Sequence, residues 1–162
     1  MAQQRTRSNS PNSGTDTAFK LPSASDLMHK IAIVESEKAS EALRRDEASA
    51  AEKKALIDRM SKPSGLTDDE IMRRAHPIIE RAVNSGHTSV QVYRFPNQLC
   101  TDRGRAINQA EPGWEKTLTG TPKEIYLFWE RRLRPLGYKI RYEIVDFPND
   151  MPGDVGITLS WG

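Results

Sequence analysis

The sequence predicts an α+β fold. We expect a small three-stranded, mostly antiparallel sheet with helices packed on one face, preceded by a long polar α-helical arm and a disordered N-terminal tail. Two capping boxes and two clearly alternating strands predict this class. The length of 162 residues suits one domain with an appendage. The predicted organisation is a tail (1–22), a helical arm (23–62) and a globular domain (63–162).

The first third of the chain is predicted to form a tail and most of one long helix. Residues 1–22 offer little beyond Phe19 and Leu21 to bury, which predicts disorder. Residues 25–60 contain no Gly or Pro and are rich in helix formers, which predicts one long helix with Ser25 as its N-cap. Its apolar stripe is thin and interrupted by charges, so the helix is either a solvated spacer or pairs with another helix. The stripe contains Met28, Ala32, Ala39, Leu43, Ala50, Ile57 and Met60.

A break at residues 61–66 separates the arm from the domain, since Pro63 and Gly65 both disfavour helix. Thr67 and Glu70 then form a capping box, and apolar residues follow at steps of three and four as far as Val83. This pattern predicts an amphipathic helix over 67–86. We expect the domain without residues 1–62 to unfold cooperatively.

The remaining segments predict the sheet and its covering helices. A strand is expected in 87–95, then a helix capped by Asn97 and interrupted at Gly104, then a helix that begins at a second capping box, Thr121 to Glu124. Residues 138–144 and 155–161 alternate clearly, and we expect these strands to pair antiparallel through the intervening loop. The last strand must be paired, because its apolar face is too strong to leave free.

Composition excludes several classes of protein. Lys and Arg number 24 against 22 Asp and Glu, a net charge of +2, and no block of the chain is strongly basic. The longest apolar run is far shorter than the ~20 residues that cross a bilayer, and no apolar segment typical of a secretory signal follows the N-terminus. One cysteine and scattered histidines argue against disulfides and a zinc site. We expect a cytoplasmic protein without cofactor or metal.

The single cysteine, Cys100, is the one candidate nucleophile. It follows a predicted helix N-cap and precedes Arg103, a setting that can stabilise a thiolate. His87 is the only nearby candidate for a base. The alternative, which we favour, is that Cys100 packs as a small apolar side chain.

Three carboxylates at steps of four, Asp146, Asp150 and Asp154, occupy the loop between the last two strands. Such a loop could bind a hard cation or a partner, but its spacing does not match a calcium loop. We favour a hairpin loop in which the Asp side chains cap turns. Its Pro and Gly content also makes it a candidate interaction loop.

Six arginines of the domain are candidates for contacts to nucleic acid. They could serve this role only if they converge on one face beside exposed aromatic rings. Several lie at predicted helix ends, where a cation opposes the helix dipole and has a structural role. The six are Arg94, Arg103, Arg105, Arg131, Arg132 and Arg134.

These observations favour a non-catalytic protein-interaction or regulatory module that binds a partner protein through its arm, loop or edge strand. The sequence contains none of the common nucleotide-binding, hydrolase or metalloprotease motifs. A nucleic-acid-binding protein and a small thiol-dependent enzyme are the alternatives. For the arm, we expect weak homodimerisation through residues 28–60 in a coiled-coil manner.

Overall fold

The computed structural model describes residues 20–162, and the predicted α+β class is confirmed. The chain divides into two compact units, one up to Asp46 and one comprising Glu47–Gly162. The helices are α1 (Ala24–Ser61), α2 (Asp68–Asn84), α3 (Arg105–Asn108) and α4 (Gly120–Phe128). The strands are β1 (Ser89–Phe95), β2 (Lys139–Ile144) and β3 (Val155–Ser160). Most of the predicted tail lies outside the described residues.

The sheet is fully antiparallel, with the order β1-β3-β2. The last strand of the chain is therefore paired on both sides, as its apolar face requires. Val155 and Ile157 are completely buried, and on the same side of the sheet they pair with Phe95 of β1 and Tyr142 of β2, respectively. We call this side of the sheet the inner face. A bulge between Gln91 and Tyr93 interrupts the β1–β3 register.

The helix starts follow local capping, with two corrections. Thr67 caps α2 in the predicted box with Glu70. Ser23 rather than Ser25 caps α1, because the Ser23 hydroxyl accepts from the Asp26 N–H and the Asp26 carboxylate accepts from the Ser23 N–H. The box at Thr121 is wrong, because the Glu124 carboxylate accepts the backbone N–H of Ser64 instead.

The segment from Asn97 is also different from its prediction. It forms a short 3-10 turn (Asn97–Leu99) and, after a turn, the single-turn helix α3. The Asn97 side chain does not cap a helix, because its amide donates to the carbonyls of Arg103 and Pro152. Beyond α4 the helix continues as a π segment (Trp129–Leu133) and a 3-10 turn (Arg134–Leu136).

The end of α1 belongs to the core of the second unit. Met60 is 5% exposed and lies in the main apolar cluster, against which Leu56 and Ile57 also pack. The sequence analysis assigned Met60 to the apolar stripe of the arm, but the structure buries it in the domain core, because removing an apolar side chain from water is favourable. The domain boundary at residues 61–66 stays a prediction. A chain that begins at residue 63 would lack the Met60 side chain, which is part of the core.

Two methionines of α1 offer a direct test of this packing. We expect Met60→Ala to lower the free energy of unfolding by about 2–5 kcal/mol, because it leaves a cavity in the core. Met28→Ala is the matched control in the same helix, and we expect a change within about 0.5 kcal/mol because Met28 is 64% exposed. Urea unfolding of dilute protein measures both, and equal effects of the two substitutions would contradict the packing.

Candidate functional site

Cys100 is a buried core residue in the structure. Its side chain is 3% exposed, and its backbone pairs with Leu118 in an isolated bridge. Burial, and then the charge of Asp102, raise the pKa of the Cys100 thiol to about 11, against a smaller opposing effect of a hydrogen bond with Thr117. Within residues 20–162, no hydrogen bond joins Cys100 to His87, which lies just after α2 and is exposed. The geometry therefore favours a packing role for this thiol.

Two of the three loop carboxylates are bound to an arginine. The Arg94 guanidinium donates to Asp154 at 2.9 Å and to Asp146 at 3.1 Å. Asp146 also accepts the backbone N–H of Asp154. These bonds raise the pKa of Arg94 and tie the base of the loop to β1. The two carboxylates and Arg94 thus form one structural cluster.

The tip of the same loop is exposed. Asp150 has a left-handed backbone (φ 60°), as does Asn149 before it (φ 52°). The apolar side chains on either side, Phe147 and Met151, are 54% and 66% exposed. The loop tip therefore offers an apolar contact as well as the predicted acidic one. Within the described part of the chain, no cluster of His, Cys, Asp or Glu is arranged to hold a metal ion.

Two of the candidate arginines pair with the first turn of α2. Arg131 donates to Asp68 at 2.9 Å, and Arg132 lies 4.0 Å from Asp69. Both arginines belong to the π segment, so these ion pairs connect it to the capped start of α2. The two carboxylates also interact favourably with the positive end of the α2 dipole, because they lie in the first turn of that helix.

The other candidate arginines also make local contacts. The Arg134 guanidinium stacks over Trp129, 5.7 Å from the ring centre. Arg105 donates to Glu111 at 2.6 Å. Of the six, Arg103 and Arg134 have no carboxylate within 4.0 Å among residues 20–162. The six arginines are therefore largely engaged in intramolecular contacts.

The described part of the first unit is a helix with exposed apolar side chains. Leu27, Met28, Ile31 and Val34 are 47%, 64%, 49% and 47% exposed. At 3.6 residues per turn these four lie on one side of α1, and we call them the α1 stripe. Of these four, only Met28 lies on the stripe predicted from sequence, because the other three lie off the Ala-rich line that continues to Met60.

An apolar cavity of about 420 Å³ lies in the second unit, between α2, α4 and the inner face of the sheet. We call it the inner-face cavity. The β1 bulge places two consecutive residues, Val92 and Tyr93, in its wall. Its other apolar lining residues are Met60, Leu66, Ile71, Ala75, Ile78, Ile125, Phe128, Trp129, Leu133, Ile140 and Leu159.

Most of the polar groups lining this cavity are hydrogen-bond donors. Arg59 and Arg74 contribute guanidinium groups, and Tyr93 and Thr121 contribute hydroxyls. Burial raises the pKa of Tyr93, and the nearby charge of Arg59 partly offsets this effect. Glu124 is the one carboxylate of the lining, and it already accepts from Ser64.

Arg59, Arg74 and Tyr93 are not among the candidate residues predicted from sequence. Arg74 resembles any charge on the polar side of an amphipathic helix, and Arg59 resembles the other charges of the arm. One sequence feature could have indicated that Arg59 lies near the domain: it precedes Met60, the last apolar residue before the break at 61–66. Only the tertiary structure brings the three side chains to one cavity.

No protein-family model, no curated protein and no solved structure matches this chain. Among residues 20–162, none of the helices has the length and apolar character needed to cross a membrane.

The raised pKa of Cys100 makes its reactivity a test of the thiol-dependent alternative. At pH 7 a pKa of about 11 leaves roughly one thiol in ten thousand ionised, and burial slows access further. We expect iodoacetamide to alkylate the native protein at least about 100-fold more slowly than the urea-unfolded chain at pH 7.5. The rate should rise with pH toward 11, and His87→Ala should not change it. Fast alkylation of the native protein that depends on His87 would favour the enzyme.

Proposed function

We propose that this protein is a non-catalytic protein-interaction module and that the first unit carries its docking element, the α1 stripe. The exposure of Leu27, Met28, Ile31 and Val34 along one side of a helix is the observation that supports the proposal. Clustered apolar side chains left in water are typical of surfaces that bind another protein. The buried, protonated Cys100 and the intramolecular pairing of the arginines favour this class over the two alternatives.

The partner we propose for the α1 stripe is a second copy of the same helix in parallel orientation. Ile31 takes an a position of a heptad when Leu27 and Val34 take d positions. Ile at a with Leu at d is typical of two-stranded coiled coils, and Val34 at the second d position departs from that pattern. Lys30 then lies at g and Glu35 at the following e. In a parallel pair, the lysine of one copy meets the glutamate of the other.

The association is expected to be weak. Beyond Val34 the same heptad positions hold Lys38, Glu41 and Arg45, and the last two form an ion pair within their own helix at 2.8 Å. The apolar contact therefore extends over only about two heptads. Burying the exposed part of four side chains per copy contributes at most about 7 kcal/mol beyond the cost of association, which corresponds to a Kd of about 10 μM or weaker.

Sedimentation of the full chain over a wide concentration range tests this proposal. We expect a monomer–dimer equilibrium that Ile31→Glu abolishes, because it places a charge in the centre of the apolar contact. Ile33→Glu is the matched control: Ile33 is 46% exposed against 49% for Ile31, but it lies on the other side of α1. A strict monomer at the highest concentration, with the helix intact by circular dichroism, would contradict self-association. Equal effects of the two substitutions would also contradict it.

A further inference from the structure

We propose that the inner-face cavity is a binding site for a small amphipathic anion, a carboxylate carried on an apolar tail. This site lies wholly within the second unit and is independent of the α1 stripe. Its volume of about 420 Å³ falls in the range of cavities that hold small organic ligands.

The walls account for the apolar tail of the ligand. Phe128, Leu133 and Leu159 form a buried cluster at one side of the cavity, and they are at most 4% exposed. Ile71 of α2 and Val92 of the bulge line it as well. A polar molecule without a tail would gain no favourable contact with these apolar walls.

The free donors account for the negative head group. Within residues 20–162, the guanidinium groups of Arg59 and Arg74 have no carboxylate within 4.0 Å, and the hydroxyls of Tyr93 and Thr121 make no hydrogen bond. Arginine guanidinium groups bind carboxylates with charge-assisted hydrogen bonds. Glu124, the only carboxylate of the lining, accepts a hydrogen bond from the Ser64 N–H rather than from these donors. The donors are therefore available to a ligand.

Charge also argues against the N-terminal segment of the same chain as the occupant. Residues 1–22 carry Arg5, Arg7 and Lys20 against the single acid Asp16. A segment with this balance would bring positive charges to the guanidinium groups of Arg59 and Arg74. The cavity therefore favours an anion over the tail.

Decanoate is the probe for this site, with decyltrimethylammonium as a cation with the same tail. We expect decanoate, below its micelle concentration, to shift the methyl resonance of Ala75 and the indole resonance of Trp129 in the full chain, and the cation to bind at least about tenfold more weakly. Arg74→Gln should weaken decanoate binding about tenfold. Arg73→Gln, next to it on α2 but outside the lining, should not.

A second variant tests the tail of the ligand. Ala75→Leu places more side chain in the cavity, and it should reduce decanoate binding while the circular dichroism spectrum stays unchanged. Four outcomes would overturn the proposal: no decanoate binding, equal binding of the cation, equal effects of Arg73→Gln and Arg74→Gln, or binding that appears only after residues 1–19 are removed. The last outcome would assign the cavity to the chain's own tail.

Discussion

A backbone contact between the end of α1 and the start of α4 is the constraint on which the second unit depends. A side chain at Gly120 would lie against the Met60 carbonyl and 2.9 Å from the Cα of Ser61. The φ of Gly120 is also positive, at 59°. Only glycine satisfies both conditions, and it lets α4 begin directly against α1. This approach holds Met60 in the core beside Leu118 and places Arg59 at the inner-face cavity.

The central strand β3 depends on a second close approach. Its inner side chains are completely buried, but its outer side has a glycine, Gly156, over which Val145 and Gln91 pack. An added Cβ there would lie 2.6 Å from the Val145 side chain and 2.9 Å from the Gln91 amide oxygen. Neighbouring side chains thus cover the centre of the sheet on its outer side without a helix. Glycine in this strand reflects packing rather than a turn.

The parts of the fold that could be predicted from sequence are those with local causes. Thr67 and Glu70 are three residues apart, so their capping box is visible in the sequence and is confirmed. The alternation in 138–144 likewise predicts β2. The second capping box failed because Glu124 binds Ser64, which lies 60 residues away in the chain. No local pattern could reveal that competitor.

The candidate sites show the same division. The sequence makes Cys100 a candidate only through its neighbours, but burial decides its pKa, and burial is a property of the whole core. Arg94 pairs with the two loop aspartates because β1 and β3 are adjacent in the sheet, and this strand order could not be predicted from the sequence. Arg59 and Arg74 reach one cavity from two different helices, so neither could be recognised from its own segment.

Native-state hydrogen exchange of the full chain tests most directly whether the end of α1 belongs to the folded core. We expect the amides of residues 56–61 to exchange with a free energy within about 1 kcal/mol of the β3 amides, because both open only when the core unfolds. Amides of residues 28–46 should exchange at clearly lower free energy, since no core covers them. Exchange of residues 56–61 as fast as that of residues 28–46 would show that the end of α1 lies outside the folded core.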